Sequence, residues 1–165
     1  MEASPQLVFR EIDVERDAET CIQFRADSFA CSFGSDERFY QEAGPGCQHY
    51  LDVLRRRNEE LPGSCVHAWL DDRIVGQVEL RLHPQRADVG RVLLFYLEPE
   101  HRGRGLAAQL DGYAIEILSG AGCSRASLRV SPTNEPAIRF YRRQGWIDRG
   151  PDPDHPEVHV FDRSW

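Results

Sequence analysis

The apolar run Val92-Leu93-Leu94-Phe95-Tyr96-Leu97, followed closely by Arg102-Gly103-Arg104-Gly105, constrains this chain more than any other stretch. The run is long enough for a buried strand and too short for a helix of its own. Beyond the glycines, Leu106, Ala107, Leu110, Tyr113, Ala114, Ile117 and Leu118 recur at helical spacing. A strand therefore passes into a helix through a loop of glycine and arginine. Such a turn leaves backbone N–H groups unpaired at the positive end of the helix dipole, which suits phosphate. Gly103 and Gly105 let the main chain approach an anion with no side chain in the way. Arg102 and Arg104 add fixed charge at the rim.

Three phosphate loops compete for this stretch. The nucleoside triphosphate loop ends in Gly-Lys-Ser/Thr, and all 20 basic residues here are arginine. The dinucleotide fingerprint needs three glycines at its own spacing and an acid further on, whereas only two glycines stand here. The third pattern, Gln/Arg-x-x-Gly-x-Gly/Ala, is met by Arg102, Gly105 and Ala107. A second block runs from Leu128 to Trp146. Its strand ends at Ser131-Pro132; a helix follows, capped by Thr133 or Asn134, with Pro136 in its first turn and Gly145 as its stop. The order Asn-x-x-Ala-x-x-x-Tyr-x-x-x-Gly-aromatic begins at Asn134 and passes through Tyr141. Together the blocks, roughly residues 89 to 149, resemble the GNAT family, the acetyl-coenzyme A-dependent N-acetyltransferases.

That resemblance implies an α/β (α+β) fold, a mixed and mostly antiparallel sheet with flanking helices. A central parallel strand pair, at about 91–97 and 125–131, splays apart and takes the acyl-CoA. The coenzyme site then comprises Arg102, Gly103, Arg104, Gly105, Leu106 and Ala107, a backbone N–H near Leu97 for the thioester carbonyl, and Asn134. Tyr141 falls near the coenzyme sulfur. Transfer from a thioester needs a neutral amine, a polarised carbonyl and a proton for the leaving thiolate. A thiol of pKa about 8.5 asks little of its acid, so a tyrosine suffices, and Tyr141 is the candidate. Packing on the helix face beside Phe140 is its plainer reading.

The base is less well marked. The glutamate that several family members place before the loop is not matched, since Arg91 stands nearest and Asp88 lies upstream. Glu79, in Gln77-Val78-Glu79-Leu80, alternates with apolar residues and is a candidate base or ammonium anchor pointing into the cleft. The polar face of an amphipathic strand explains it equally. His83, His101 and His155 have suitable intrinsic pKa values. Cys123 offers an acyl-enzyme route, and direct attack is preferred to it. Acceptor specificity is expected from Phe29, Phe33, Phe39 and Tyr40 and from the loop carrying Asp152, Asp154 and Glu157, whose acids suit an amine.

The whole chain sets wider bounds. Its 165 residues fit one domain, 1–165, and the net charge of -7 argues against a nucleic-acid binder while favouring a cationic acceptor. No apolar run reaches membrane-spanning length and the first residues carry no targeting pattern, so the cytoplasm is expected. Five cysteines without a Cys-x-x-Cys pair read as free, mostly buried thiols, with no metal site. Periodicity gives the order β-α-α-β-β-β-α-β-α-β-β. Its first helix spans about 14–30, a short helical piece lies near 36–42, and a hairpin turns at Asp71-Asp72-Arg73. The expected activity is acetyl transfer from acetyl-CoA to a small-molecule amine. The alternatives are acetylation of a protein N-terminus or lysine, and an acyl-CoA-binding module without turnover; a homodimer is a candidate assembly.

Overall fold

The hairpin signature folds as it reads: Cys65–Leu70 (β2) and Arg73–Leu82 (β3) pair antiparallel, with Asp71 in the turn at a left-handed φ of 53°. The computed structural model describes residues 5–165. Around the hairpin, in chain order, come β1 (Val8–Glu11), α1 (Ala18–Phe33), α2 (Glu37–Ala43) and α3 (Gln48–Glu60). After it come β4 (Val89–Leu97), α4 (Ala107–Gly120), β5 (Arg125–Val130), α5 (Glu135–Arg143), β6 (Ile147–Pro151) and β7 (His159–Ser164). The seven strands form one sheet in the order β1-β2-β3-β4-β5-β7-β6. Of its neighbouring pairs, β4 and β5 alone run parallel.

Two expectations from periodicity shift. At the expected start of the first helix, the Asp13 Oδ1 accepts the Arg16 N–H at 3.1 Å and the Asp13 carbonyl accepts that of Asp17 at 2.8 Å. That closes a separate turn, so the helix starts at Ala18 rather than near Val14. The short piece near residues 36–42 is a helix in its own right, α2, anchored by Phe39 at 3% exposure.

The parallel contact is brief, from Val89 opposite Arg125 to Val92 opposite Leu128. On the other edge of β4, Glu79 faces Leu94 but Leu80 faces Val92, so Leu93 is an extra, bulged residue. A bulge bends its strand and resets which side chains face which way. Leu94 and Tyr96 accordingly pack on Phe24 of α1, while Val92 and Leu97 join the core beneath α4. The pairing with β5 ends where the bulge begins, and the two strands part there.

Helices cover the sheet unequally. Leu106, Leu110, Ala114 and Leu118 of the α4 segment bury against Val78, Val92, Leu128 and Phe161 on one face. On the other, α1 and α3 lie over β2, β3 and β4, with Cys21, Leu54 and Phe39 in a second cluster. Asp111 of α4, 2% exposed, accepts from Trp146 Nε1 at 2.8 Å and pairs with the Arg163 guanidinium of β7. All five cysteines are free, Cys31 exposed and the others buried. Among the described residues, no helix is long and apolar enough to cross a membrane.

Candidate active site

The loop between β4 and α4 has a backbone shape that suits an anion. Gly103 and Gly105 sit at φ 73° and 80°, a region costly for any residue with a Cβ. Leu106, fully buried, pins the loop to the core. The N-terminus of α4 has no side-chain cap; Gln109 N–H donates to the Leu106 carbonyl at 3.0 Å, and the N–H groups of Ala107 and Ala108 ahead of it are orphans of the helix start. Arg102 departs from expectation. Its Nε donates to the Leu97 carbonyl at 2.8 Å and its guanidinium lies 3.3 Å from Asp27 and over the Tyr96 ring. It therefore braces the loop against β4 and α1, and Arg104, exposed, is left to carry charge at the rim.

The edge of β4 beyond the bulge supplies a second element. The Glu98 N–H donates to the Val75 carbonyl across β3. Antiparallel alternation then turns the N–H groups of Leu97 and Phe95 away from β3 and into the splay. Side chains claim two carbonyls of this stretch, Leu97 through Arg102 and Leu93 through Arg25 Nη1 at 2.9 Å. Unpaired amide edge is thus exposed between the β4–α4 loop and the bulge.

Tyr141 reaches this edge from α5, its ring 6.4 Å from that of Phe95 and 6.2 Å from those of Trp146 and Phe161. Burial, and then the charge of Asp111, push its hydroxyl above the ordinary tyrosine value. Asn134 caps α5, its Oδ1 accepting the Ala137 N–H at 3.4 Å, which leaves its amide N–H groups to a ligand. Glu79 goes elsewhere. At 1% exposure it lies under α3, where the Tyr50 hydroxyl and Gln77 Nε2 donate to its Oε2 at 2.8 and 2.9 Å. Arg57 stands 3.7 Å from its other oxygen. The expected orientation into the cleft is therefore corrected: α3 covers the face of β3 that Glu79 occupies.

Where the covering helices end, a cavity of about 520 Å³ opens over β4, β5 and β7, walled by α1, α2 and the β6–β7 loop. Phe29 and Phe33 line it, whereas Phe39 is core and Tyr40 lies 48% exposed. Of the three loop acids, Asp154 is exposed and outside the cavity lining, and the other two already have basic partners. Asp152 lies 2.6 Å from Arg129 and accepts the N–H groups of Asp154 and His155; Glu157 stands 3.6 Å from Arg38. Cys123 is buried near the Ala87 carbonyl, with its thiol pushed up by burial and then Asp88. Glu98, Glu100 and His101 bring potential ligand atoms within 4.8 Å of one another, but Arg73 already engages both glutamates. Arg25, Arg91 and Arg125 also line the cavity. In the sequence Arg91 is only the residue standing where a glutamate was sought, and Arg25 and Arg125 carry no signal that separates them from a solvated helix or strand face.

An uncapped helix end after two left-handed glycines, an open strand edge and a cavity across the sheet define the acetyltransferase class. The chain belongs to the GNAT acetyltransferase family, whose model, described as Acetyltransferase (GNAT) family, matches residues 26–146. It is similar to a mycothiol acetyltransferase of Acidimicrobium ferrooxidans, 30% identical over 115 residues, 67% of this chain and 36% of that protein. It is also similar to the N-alpha-acetyltransferase MAK3 of Arabidopsis thaliana, 28% identical over 87 residues, 52% of this chain and 46% of that protein. The chain spans less than half the length of either of these curated relatives. Among solved structures it is similar to the PaiA N-acetyltransferase of Thermoplasma acidophilum in complex with coenzyme A. The TM-score is 0.79 at 20% identity, covering 97% of this chain and 99% of that one, and the fold is shared.

Proposed function

We propose that this chain is an N-acetyltransferase that moves an acetyl group from acetyl-CoA to a primary amine of a small molecule by direct attack in a ternary complex. The observation that carries this reading is that an uncapped helix end and an unpaired strand edge follow one another along β4, with a cavity opening beside the same strand from Leu93 back to Val89. Bound acetyl-CoA supplies the thioester. Main-chain N–H groups between Arg102 and Ala107 hold its diphosphate, and the spare amide of Asn134 donates to it. The open edge of β4 pairs with the amide-rich arm as it would with an added strand, and the N–H of Phe95 or Leu97 polarises the carbonyl. The acceptor amine enters from the cavity, releases its proton to water and forms the new C–N bond. As the C–S bond breaks, the Tyr141 hydroxyl gives its proton to sulfur and is reprotonated from water. No step requires Glu79.

Similarity to mycothiol acetyltransferases and a partly walled cavity support a small acceptor. Similarity to MAK3 supports a second reading, acetylation of a peptide N-terminus. Thiol release from acetyl-CoA, measured against amines, amino acids and short peptides, separates the two. Small amines are expected to turn over faster than any peptide. Gly105→Asp, which puts a Cβ and a negative charge at a left-handed position facing the diphosphate, should abolish acetyl-CoA binding in calorimetry. Binding unchanged in that variant removes the loop from the site, and binding without turnover of any amine leaves an acyl-CoA-binding module.

A further inference from the structure

The charge inside the cavity runs against that of the chain. Six arginines line it, Arg25, Arg38, Arg86, Arg91, Arg125 and Arg129. Each of its four acids already has a basic partner: Glu42 and Glu157 lie 3.1 and 3.6 Å from Arg38, Asp152 2.6 Å from Arg129, and Asp162 3.0 Å from Arg149. Arg25 spends one nitrogen on the Leu93 carbonyl. Among the described residues, Arg91 and Arg125 have no side-chain partner at all.

The placement of Arg91 is costly without a ligand. It stands directly opposite Arg81 on β3 and beside Ser127 on β5, and like charges opposed across strands destabilise a sheet. Partial burial, then Arg129 and Arg81, lower its pKa. His83, at the same end of the cavity, is likewise pushed down by desolvation and then by Arg91, Arg86 and Arg81. Guanidinium forks in such a setting match a carboxylate or phosphate. The coenzyme diphosphate does not answer to them. Its loop begins beyond Leu97, six residues from Arg91 and about 20 Å along the strand.

We infer that the acceptor is an amine that also carries a carboxylate or phosphate several bonds from its nitrogen, held by Arg91 and Arg125 where they line the cavity. Phe95, at the proposed thioester, is four residues from Arg91, about 13 Å of strand, and the arginine side chain spans part of that gap. This inference rests on the acetyltransferase reading and supplies its substrate class.

The test titrates the full chain, loaded with acetyl-CoA, with matched pairs: gamma-aminobutyrate against butylamine, and O-phosphoethanolamine against ethanolamine. The anionic member of at least one pair should bind about tenfold tighter or better, and which pair does so distinguishes carboxylate from phosphate. Arg91→Gln and Arg125→Gln should each raise KM for that member about tenfold, with far less change in kcat or in the KM of its neutral partner. Acetyl-CoA affinity should stay at the parent value, and Arg91→Gln, which relieves the opposition to Arg81, should not lower the melting temperature. Equal binding within both pairs overturns the inference and leaves the acetyltransferase reading standing. So does a parallel loss for charged and neutral amines in the variants, or a loss of acetyl-CoA affinity. A parent that fails to bind acetyl-CoA defeats the acetyltransferase reading instead, and the same titrations of the chain alone then decide whether the arginines seat an anion.

Discussion

A side chain that is to protonate a departing thiolate must keep its own proton until the bond to sulfur breaks. The surroundings of Tyr141 suit the role proposed for it: burial comes first and the charge of Asp111 second, and both favour the neutral phenol. Because its pKa is raised, the hydroxyl stays protonated beyond the ordinary tyrosine value of 10.0. Turnover limited by this acid should therefore show no decline as pH rises from neutrality to 9, while protonation of the amine slows it on the acid side. Tyr141→Phe keeps the ring against Phe95, Trp146 and Phe161 and removes only the proton. Turnover should fall roughly a hundredfold or more, with acetyl-CoA affinity by calorimetry unchanged. A variant as fast as the parent moves the proton to another donor.

At the level of elements, the parts legible in the sequence are those written in contiguous residues. The run 92–97, the glycine loop and the periodic helix after it announce β4 and α4, and Asn134 with Pro136 announces the start of α5. The bulge at Leu93 is not written that way, because its neighbours are uniformly apolar and the register is set by β3. Glu79 shows the same limit. Alternation places it on one face of β3, but only α3, through Tyr50 and Arg57, decides that this face is buried rather than open. Asn134 caps α5, and substitution separates that duty from the coenzyme contact proposed for it. Asn134→Ala removes the cap on α5 and should cost about 1 kcal/mol in urea denaturation. Asn134→Asp keeps a good cap and should restore stability without restoring acetyl-CoA affinity, since it lacks the N–H donors and brings negative charge toward a polyanion. Affinity recovered with stability would mean that Asn134 acts on the coenzyme only by shaping the helix.

For the whole molecule, the splay proposed to admit a coenzyme arm also weakens the sheet at its centre. The β1–β4 half meets the β5–β7 half only from Val89–Arg125 to Val92–Leu128, so other contacts must keep the halves in place. The α4 crossover is one, through the core it shares with both. Asp111 is another: from α4 it holds Trp146, just past α5, and Arg163 on β7. Removing a buried carboxylate strands its partners, which costs more than the pair itself contributes. Asp111→Ala should therefore lose about 3–5 kcal/mol in urea denaturation. Asp111→Asn retains an acceptor for the indole N–H and should lose less. Acetyl-CoA at a hundred times its dissociation constant adds about 2.7 kcal/mol to any form that binds it, so it should recover much of the deficit of a folded Asp111→Ala. A loss under about 1 kcal/mol, within the range of an ordinary hydrogen bond, would mean that the core under α4 holds the two halves together without this tie.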